Sequence, residues 1–312
     1  MKLLNGLKQA AILPNRVVAT IGNFDGVHRG HQALFVSLRM QAARLQCPML
    51  VILFEPQPAE YFQHQQAPAR LTRLRKKLQV LQSLGVDYVC CLKFNTKLAQ
   101  MSAADFAEEI IFKSLNVSYL LTGVDFRFGR DRTGDLDLLD AIGKKHNAIV
   151  ESFPNFQVDN ERISSTGIRL ALLHGNLQYA ASCLGRSYSL CGRVIQGDGR
   201  GRQWGTPTAN IALQDDRLPL SGVFAVHVQR RYDKHVYRGV ANIGRRPTIE
   251  GKLQLTFEVH LFDFNESIYG EMLDVTFMHH LRKEEKFNSV EALINQIHQD
   301  IALANCTLDK TE

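Results

Sequence analysis

The sequence predicts an α/β domain with a parallel sheet, followed by an antiparallel β-barrel with a C-terminal helix. Up to about residue 184, short apolar runs alternate with helical patterns. Beyond Gly185, glycine-rich turns separate strands of period two, as in Phe224–Val228. A length of 312 residues also favours two domains over one. We therefore expect domains at residues 1–184 and 185–312.

The first domain is predicted to have five strands, at Val17–Ile21, Pro48–Phe54, Asp87–Leu92, Ser118–Thr122 and Ala148–Phe153. The segments between them predict helices, the first from about Gly30 to Leu45. Ser102 and Asp105 predict a capping box at the start of a later helix. Because alternating strands and helices are joined by right-handed crossovers, we expect a parallel sheet that binds ligands at the carboxyl ends of its strands.

In the second domain, the strand Leu253–Leu261 places apolar residues on one face and polar residues on the other. A helix that begins near Ser289 carries an apolar face that packs against the barrel. The domain boundary is predicted where the helix Leu177–Leu184 stops at Gly185.

The composition is that of a soluble globular protein, with 45% hydrophobic and 22% charged residues and no apolar run of membrane-spanning length. Met1–Asn15 lacks a secretory pattern, so we expect a cytoplasmic protein that does not bind membranes. Six cysteines without a Cys-x-x-Cys pair predict neither zinc nor disulfides. The sequence leaves the oligomeric state open.

A net charge of +6 suits polyphosphate ligands and is equally compatible with weak nucleic-acid binding. One basic cluster flanks a stripe of leucines on a predicted helix; its members are Arg70, Arg73, Arg75, Lys76 and Lys77. We interpret these charges as the solvated face of the helix and predict no nucleic-acid partner.

The segment Gly22–His31 reads Gly-Asn-Phe-Asp-Gly-Val-His-Arg-Gly-His and lies directly after the first predicted strand. Its glycines let the backbone approach a ligand closely, and the N–H groups at the start of the following helix favour anionic phosphate. Imidazoles at His28 and His31 can donate to phosphate oxygens as charge builds on a leaving pyrophosphate. The pattern predicts adenylyl transfer, although an isolated His-x-Gly-His also occurs by chance.

Three further segments fall at the predicted ends of later strands, at Phe54–Pro58, Gly123–Gly129 and Ile163–Arg169. The last supplies hydroxyls and a guanidinium at a helix start, which suit triphosphate oxygens. Each segment alone is also compatible with a turn or a helix cap. Their occurrence together favours a nucleotide site.

A second candidate site lies in the barrel half, where Gly197–Arg202 is followed by Gly205–Asn210. At a strand start, Thr208 and Asn210 point to the same side, and their oxygens suit Mg²⁺ between ATP phosphates. This is not a Walker loop, because no Gly-Lys-Ser/Thr follows the glycines. Glu258 is displayed on the polar face of its strand, either as a general base for attack on a γ-phosphate or as a solvated carboxylate.

Together these segments resemble the bacterial bifunctional riboflavin kinase/FAD synthetase family. Gly22–His31 matches the signature of its N-terminal module, which has the Rossmann-like nucleotidylyltransferase fold. Pro207–Asn210, Gly239–Thr248 and Glu258–His260 match the segments of its C-terminal flavokinase barrel. The resemblance extends over nearly the whole chain.

The resemblance implies two successive reactions. The barrel phosphorylates riboflavin with ATP to FMN, and the α/β domain joins FMN to ATP, giving FAD and pyrophosphate without a covalent enzyme intermediate. Riboflavin, FMN and ATP are the implied small-molecule partners, and Mg²⁺ is the implied cofactor.

The resemblance also implies roles for individual residues. His28 and His31 act at the ATP phosphates, Glu258 is the kinase base, and Arg282 lies in a flavin-binding loop before the last helix. The implied ATP-binding residues of the adenylyltransferase are Gly22, Asn23, Phe24, Asp25, Gly30, Asp125, Ser164, Ser165, Thr166 and Arg169. Those of the kinase are Gly197, Gly199, Arg200, Gly201, Arg202, Pro207, Thr208 and Asn210, of which Thr208 and Asn210 also hold the metal.

Two positions depart from the family pattern, and a third places a negative charge where the pattern implies a phosphate. Gln57 replaces a histidine between two prolines and receives no catalytic role, and Thr206 replaces an aromatic residue. Asp125 places a carboxylate near a triphosphate, which requires a metal, a ribose or a cationic neighbour such as Arg127.

The alternative hypothesis is a nucleotidylyltransferase for another phosphorylated metabolite, with a barrel that only binds a ligand or RNA. A passive barrel has no reason to place Thr208, Asn210 and Glu258 together.

Overall fold

The computed structural model describes residues 1–158, 161–197, 199, 201, 204–213, 217–247 and 253–310. The chain folds as two compact units, of which the first comprises Met1–Pro68 and Thr72–Ser164 and the second Ala69–Leu71 and Ser165–Glu312. In this division, the helices that precede the predicted boundary at Gly185 fall in the second unit. Among the described residues, no helix has both the length and the apolar character needed to cross a bilayer.

The first unit is built on a six-stranded parallel sheet with the order β1-β4-β3-β2-β5-β6. Its strands are β1 (Lys2–Asn5), β2 (Val17–Ile21), β3 (Met49–Glu55), β4 (Tyr88–Lys93), β5 (Val117–Gly123) and β6 (Ile149–Phe153). Five of them are the predicted strands, with ends that differ by at most one residue. The short edge strand β1 was not predicted, and it pairs with β4.

The helices of the first unit are α1 (Arg29–Leu45), α2 (Pro58–Gln63), α3 (Leu74–Ser83), α4 (Thr96–Ala99), α5 (Ala103–Asp105) and α6 (Leu136–Lys145). After α5, the chain continues as a π-helix over Phe106–Ser114. Ser102 caps α5 by accepting the N–H of Asp105 at 3.0 Å. The predicted capping box is not completed, because the Asp105 carboxylate accepts the Ser102 hydroxyl at 2.6 Å.

Two apolar cores cover the two faces of this sheet. Val17 and Ala19 of β2 pack in one core with Phe106 of the π-helix. Val18 between them packs in the other core with Phe35 of α1. All five residues of β2 are buried, as expected for a central strand of a parallel sheet covered on both faces.

The second unit contains a closed antiparallel barrel with the strand order β10-β13-β12-β11-β14-β9. Two helices, α7 (Ser165–Leu173) and α8 (Leu177–Leu184), precede it. The barrel strands are β9 (Ser189–Ile195), β10 (Ala209–Ile211), β11 (Gly222–Arg230), β12 (Val236–Pro247), β13 (Leu253–Leu261) and β14 (Met272–Arg282). In the first unit, the short strands β7 (Gln157–Val158) and β8 (Glu161–Arg162) form a separate antiparallel pair.

The C-terminal helix α9 (Val290–Asp309) packs against the barrel as predicted. Ser289 caps it by accepting the N–H of Ala292 at 3.1 Å. Ala304 and Leu308 are fully buried in a cluster with Val223 of β11. This helix thereby brings its polar residues to the barrel strands that form the second candidate site.

Candidate active sites

The histidine turn lies where the strand order of the first sheet reverses. From β2 the sheet extends through β3 and β4 in one direction, whereas β5 pairs with the other side of β2. Ligands of open α/β sheets bind at the carboxyl ends of the strands at such a point. The turn after β2 and the segment Gly123–Gly129 after β5 therefore flank the expected position of a ligand.

The predicted residues Gly22, Asn23, Phe24 and Asp25 lie in this turn, and Gly30 lies in the first turn of α1. Gly26 has a φ of 83°, a backbone conformation that favours glycine. His28 caps α1, because its Nδ1 accepts the backbone N–H of His31 at 3.4 Å. With Nδ1 as an acceptor, the neutral ring carries its proton on Nε2, which makes that atom a donor.

His31 packs between two rings of the same turn. It stacks on His28 with a centroid distance of 3.6 Å and an interplanar angle of 18°. The Phe24 ring meets it edge-on at 5.1 Å. Among the described residues, the buried Nδ1 of His31 has no hydrogen-bond partner. Burial, then electrostatic interactions with His28 and Lys77, hold the pKa of His31 well below its usual 6.5, so the ring is neutral at pH 7.

Helix α3 and its preceding residues hold this turn at two points. Asp25, only 3% exposed, accepts the backbone N–H of Thr72 through Oδ1 at 3.0 Å. Lys77, only 2% exposed, donates from Nζ to the carbonyl oxygen of Asn23 at 2.6 Å.

The interpretation of Lys77 as part of a solvated face was wrong. Lys77 lies in the buried stripe itself, because Leu74, Lys77, Leu78 and Leu81 follow the i, i+3, i+4, i+7 spacing of one helix face. A lysine at an apolar-stripe position was therefore the signal in the sequence that pointed to burial.

Gln57, which replaces the family histidine, caps α2. Its side chain accepts the N–H of Glu60, while the Glu60 carboxylate accepts the N–H of Gln57 at 2.9 Å. The buried Nε2 of Gln57 has no hydrogen-bond partner in the part of the chain that the structure describes.

Asp125 pairs with Arg162 and not with Arg127, the cationic neighbour that the sequence suggested. Its Oδ2 accepts from Arg162 of β8 at 2.6 Å, and both side chains are more than half exposed. Arg127 pairs instead with Asp135 at 3.2 Å. Because Arg162 offsets the charge of Asp125, the carboxylate does not need to face a triphosphate alone.

The segment Ser164–Arg169 straddles the division between the two units, since Ser164 ends the first and Ser165 begins α7 in the second. Thr166 lies in the first turn of α7. Arg169 donates from Nε to the carbonyl oxygen of Ala69 at 2.6 Å within the second unit. The predicted role of this segment in binding ATP stays a prediction.

The second candidate site is a cavity of about 280 Å³ in the barrel unit. Its lining combines predicted site residues with residues of the C-terminal helix. The predicted ones are Gly199, Gly201, Thr208, Asn210, Glu258 and Arg282. Trp204, Thr206, Asn242, His260 and Asp300 also line it.

Three polar residues form a row across adjacent strands of this cavity. Asn210 on β10 is directly opposite Glu258 on β13. On the other side of β13, Asn242 on β12 is directly opposite the same glutamate. Directly paired residues of antiparallel strands lie about 5 Å apart, so both amides are neighbours of the carboxylate. Asn242 was not among the predicted site residues.

The glycine segment before β10 approaches this row closely. A Cβ on Gly197 would overlap the amide of Asn210, and a Cβ on Gly201 would lie 3.3 Å from Oγ1 of Thr208. Gly197 must therefore be glycine for Asn210 to keep its place. The predicted ATP ligands Arg200 and Arg202 lie outside the described residues, as does Thr248.

Pro207, the remaining predicted kinase residue, is tied to the strand that carries Glu258. Its carbonyl oxygen lies 2.8 Å from Nδ1 of His260. Thr206, which replaces the expected aromatic residue, is only 5% exposed. The segment that carries Thr208 is thus held against β13.

Arg282 is the last residue of β14 and does not lie in the predicted loop. Asp300 of α9 binds its guanidinium with both carboxylate oxygens, at 2.9 Å to Nε and 2.8 Å to Nη2. Gln296 donates to the same carboxylate at 3.0 Å. This pairing raises the pKa of Arg282 further, so the guanidinium keeps its charge. The fork-to-fork geometry fixes the plane of the guanidinium.

The oxygen donors of the barrel cavity suit a hard divalent cation. The described residues contain no cluster of three or more His, Cys, Asp or Glu side chains that would hold a metal. Thr208 and Asn210 instead offer a hydroxyl and an amide oxygen beside Glu258. Mg²⁺ binds to few protein oxygens and completes its shell with water and phosphate, so this donor set fits it.

Comparisons with known proteins identify a known family for each half of the chain. The family model for FAD synthetase matches residues 11–167, and the model for riboflavin kinase matches residues 184–308. A bifunctional riboflavin kinase/FMN adenylyltransferase from Haemophilus influenzae is 46% identical, covering 97% of this chain and 98% of that protein. Proteins of the same description from Pseudomonas fluorescens and Escherichia coli K12 are each 44% identical, and the alignments cover 97% and 96% of this chain and equal shares of those proteins.

A solved structure shares the whole fold. A crystal structure described as a macrolide-efflux protein from Streptococcus pneumoniae matches with a TM-score of 0.79 and 30% identity, covering 96% of each chain. The two family models and the relatives that span the full length together cover both units. The chain therefore belongs to the bifunctional riboflavin kinase/FMN adenylyltransferase family, and it both phosphorylates riboflavin and adenylylates FMN.

Proposed function

We propose that the two reactions take place at two separate sites, each built by one set of the residues described above. Residues 185–312 carry the riboflavin kinase site in the barrel cavity, and residues 1–184 carry the FMN adenylyltransferase site at the histidine turn. The observation that carries this proposal is the meeting of Thr208, Asn210 and Glu258 in one cavity.

In the kinase site, Glu258 accepts the proton of the terminal ribityl hydroxyl of riboflavin as its oxygen attacks the γ-phosphorus of ATP. Asn210 and Asn242 on either side orient the carboxylate. Thr208 and Asn210 would hold Mg²⁺, which when bound offsets the negative charge of the phosphates. Arg282, oriented by Asp300, supplies a fixed positive charge at the flavin side.

In the adenylyltransferase site, a phosphate oxygen of FMN attacks the α-phosphorus of ATP, and pyrophosphate leaves. Nε2–H of His28 and the neutral ring of His31 donate to phosphate oxygens as negative charge grows on the leaving group. The N-terminus of α1, the positive end of the helix dipole, also stabilises this negative charge. Asp125 and Ser164–Arg169 stay predicted ATP ligands, and the cytoplasmic location stays a prediction.

A paired experiment on the full chain tests this assignment. Each variant is given riboflavin, ATP and Mg²⁺, or FMN, ATP and Mg²⁺, and the flavins are separated by chromatography over time. Glu258→Gln should slow FMN formation about 100-fold or more, the usual contribution of a general base, while FAD is still made from supplied FMN. His31→Ala should do the reverse.

The control is Glu291→Gln, which neutralises an exposed carboxylate at the start of α9 and should leave both rates unchanged. An equal loss of both activities in Glu258→Gln or in His31→Ala would contradict two separate sites.

A further inference from the structure

Lys77 is a buried cation directly beneath the histidine turn. Lysine is among the side chains least often fully buried, because an ammonium loses its hydration there unless a partner replaces it. In this chain, 2% of Lys77 is exposed, and its Nζ donates to the carbonyl oxygen of Asn23 at 2.6 Å. The lysine thus spans from the middle of α3 to the loop between β2 and α1.

The place of this contact within the turn matters for the two histidines. Lys77 holds the backbone at Asn23, and the N–H of Thr72 holds the side chain of Asp25. Phe24 lies between these two anchored residues, and its ring packs edge-on against His31. A shift of the backbone at Asn23 therefore moves the ring against which His31 rests.

The charge of Lys77 acts on the same histidine. It contributes to lowering the pKa of His31, after burial and the neighbouring His28, the N-cap of α1. Asp25 is the carboxylate of the turn itself, and it is bound to the backbone of Thr72. The resulting neutral imidazole keeps one N–H for donation to a phosphate oxygen.

We propose that Lys77 is a positioning residue for adenylyl transfer, which acts through the Asn23 carbonyl to hold the histidine turn in its reactive arrangement. It does so without touching the substrate. This inference rests on the proposed role of His31 and adds to it the residue that sets the geometry of the turn.

The test compares Lys77→Met with Lys77→Arg and with Arg75→Met in the full chain. Lys77→Met keeps the length of the side chain and removes its charge and donor. We expect kcat for FAD formation from supplied FMN to fall about 10- to 100-fold, the scale of a displacement of about 1 Å in a reactive group. FMN formation from riboflavin should be unchanged, because that reaction uses the barrel unit.

Two further readouts separate positioning from simple stability. The pKa of His31, followed by NMR of the imidazole, should rise in Lys77→Met and stay low in Lys77→Arg, which keeps the charge. Lys77→Arg should also restore part of kcat. Arg75→Met removes an exposed charge from the same helix and should change neither quantity.

Two outcomes would overturn the inference, and they are distinguishable from failure of the site assignment. If Lys77→Met lowers only the melting temperature, while kcat per folded molecule and the pKa of His31 stay at parental values, Lys77 is merely structural. If Lys77→Met does not fold, Lys77→Arg provides the test. Parental kcat in Lys77→Arg together with an altered pKa of His31 would show that Lys77 does not act on catalysis through His31. Full FAD synthesis by His31→Ala would instead refute the site itself.

Discussion

Asn210 and Glu258 face each other as a direct pair across two antiparallel strands of the barrel. Asn242 on β12 flanks the same carboxylate from the other side of β13. Amide N–H groups on both sides can hold a carboxylate in one orientation, while the amide oxygen of Asn210 remains available to a cation. The proposed kinase site is therefore assembled by strand register as much as by residue type.

Asn210→Ala should impair the kinase reaction and spare adenylylation. Removal of one oxygen donor weakens binding of Mg²⁺ with ATP, and we expect kcat/KM for riboflavin phosphorylation to fall at least about 100-fold. A titration with Mg²⁺ at fixed ATP should show a higher midpoint. Gln254→Ala, at an exposed position of β13, is the matched control. An unchanged midpoint would remove Asn210 from the proposed metal ligands.

Gly197→Ala should reproduce much of that loss without touching a functional group. The added methyl group overlaps the Asn210 amide, so the amide must move away from Glu258. We expect kcat/KM for FMN formation to fall about 10-fold or more, with FAD formation from supplied FMN retained. Gln196→Ala, the exposed neighbouring residue, should behave as the parent. Parental kinase activity in Gly197→Ala would show that the position of Asn210 is not critical.

Asp300→Asn should weaken both the barrel unit and its affinity for riboflavin. The substitution leaves the half-buried Arg282 guanidinium without its bidentate carboxylate, and breaking such a pair from one side typically costs about 3 kcal/mol. The free energy of unfolding is measured by urea denaturation, and KM for riboflavin by initial rates. Glu291→Gln removes an exposed carboxylate from the same helix and is the control. A raised KM without a loss of stability would contradict the packing role of Asp300.

The stability of the first unit should depend on pH through His31. Its pKa in the folded protein lies well below 6.5, so the unfolded chain takes up this proton first as the pH falls. The free energy of unfolding should therefore decrease from about pH 6.5 down to the folded pKa of His31 and be fully restored above that range. Thermal unfolding at a series of pH values measures this slope. His31→Gln should flatten it, and an identical slope in His31→Gln would assign the effect to other groups.

Much of the fold was predictable because its signals are local. The five predicted strands of the sheet agree within one residue, since each is an apolar run bounded by turn residues. The cap at Ser289 and the start of α1 at the histidine turn followed from the same short-range chemistry. The edge strand β1 escaped prediction because it is only four residues long and buries only one of them, Leu4, so it gives no apolar run.

By itself, the sequence determined the kinds of structural element, the two clusters of chemistry-bearing residues and the family, because periodicity, turn residues and motif spacing act over a few residues. Only the tertiary structure decided that Lys77 lies inside and that Asn242 and Asp300 join the barrel cavity. Burial of a cation depends on whether a distant carbonyl, here that of Asn23, replaces its water. The neighbours of Glu258 depend on strand register. Both arise from contacts between residues far apart in the chain.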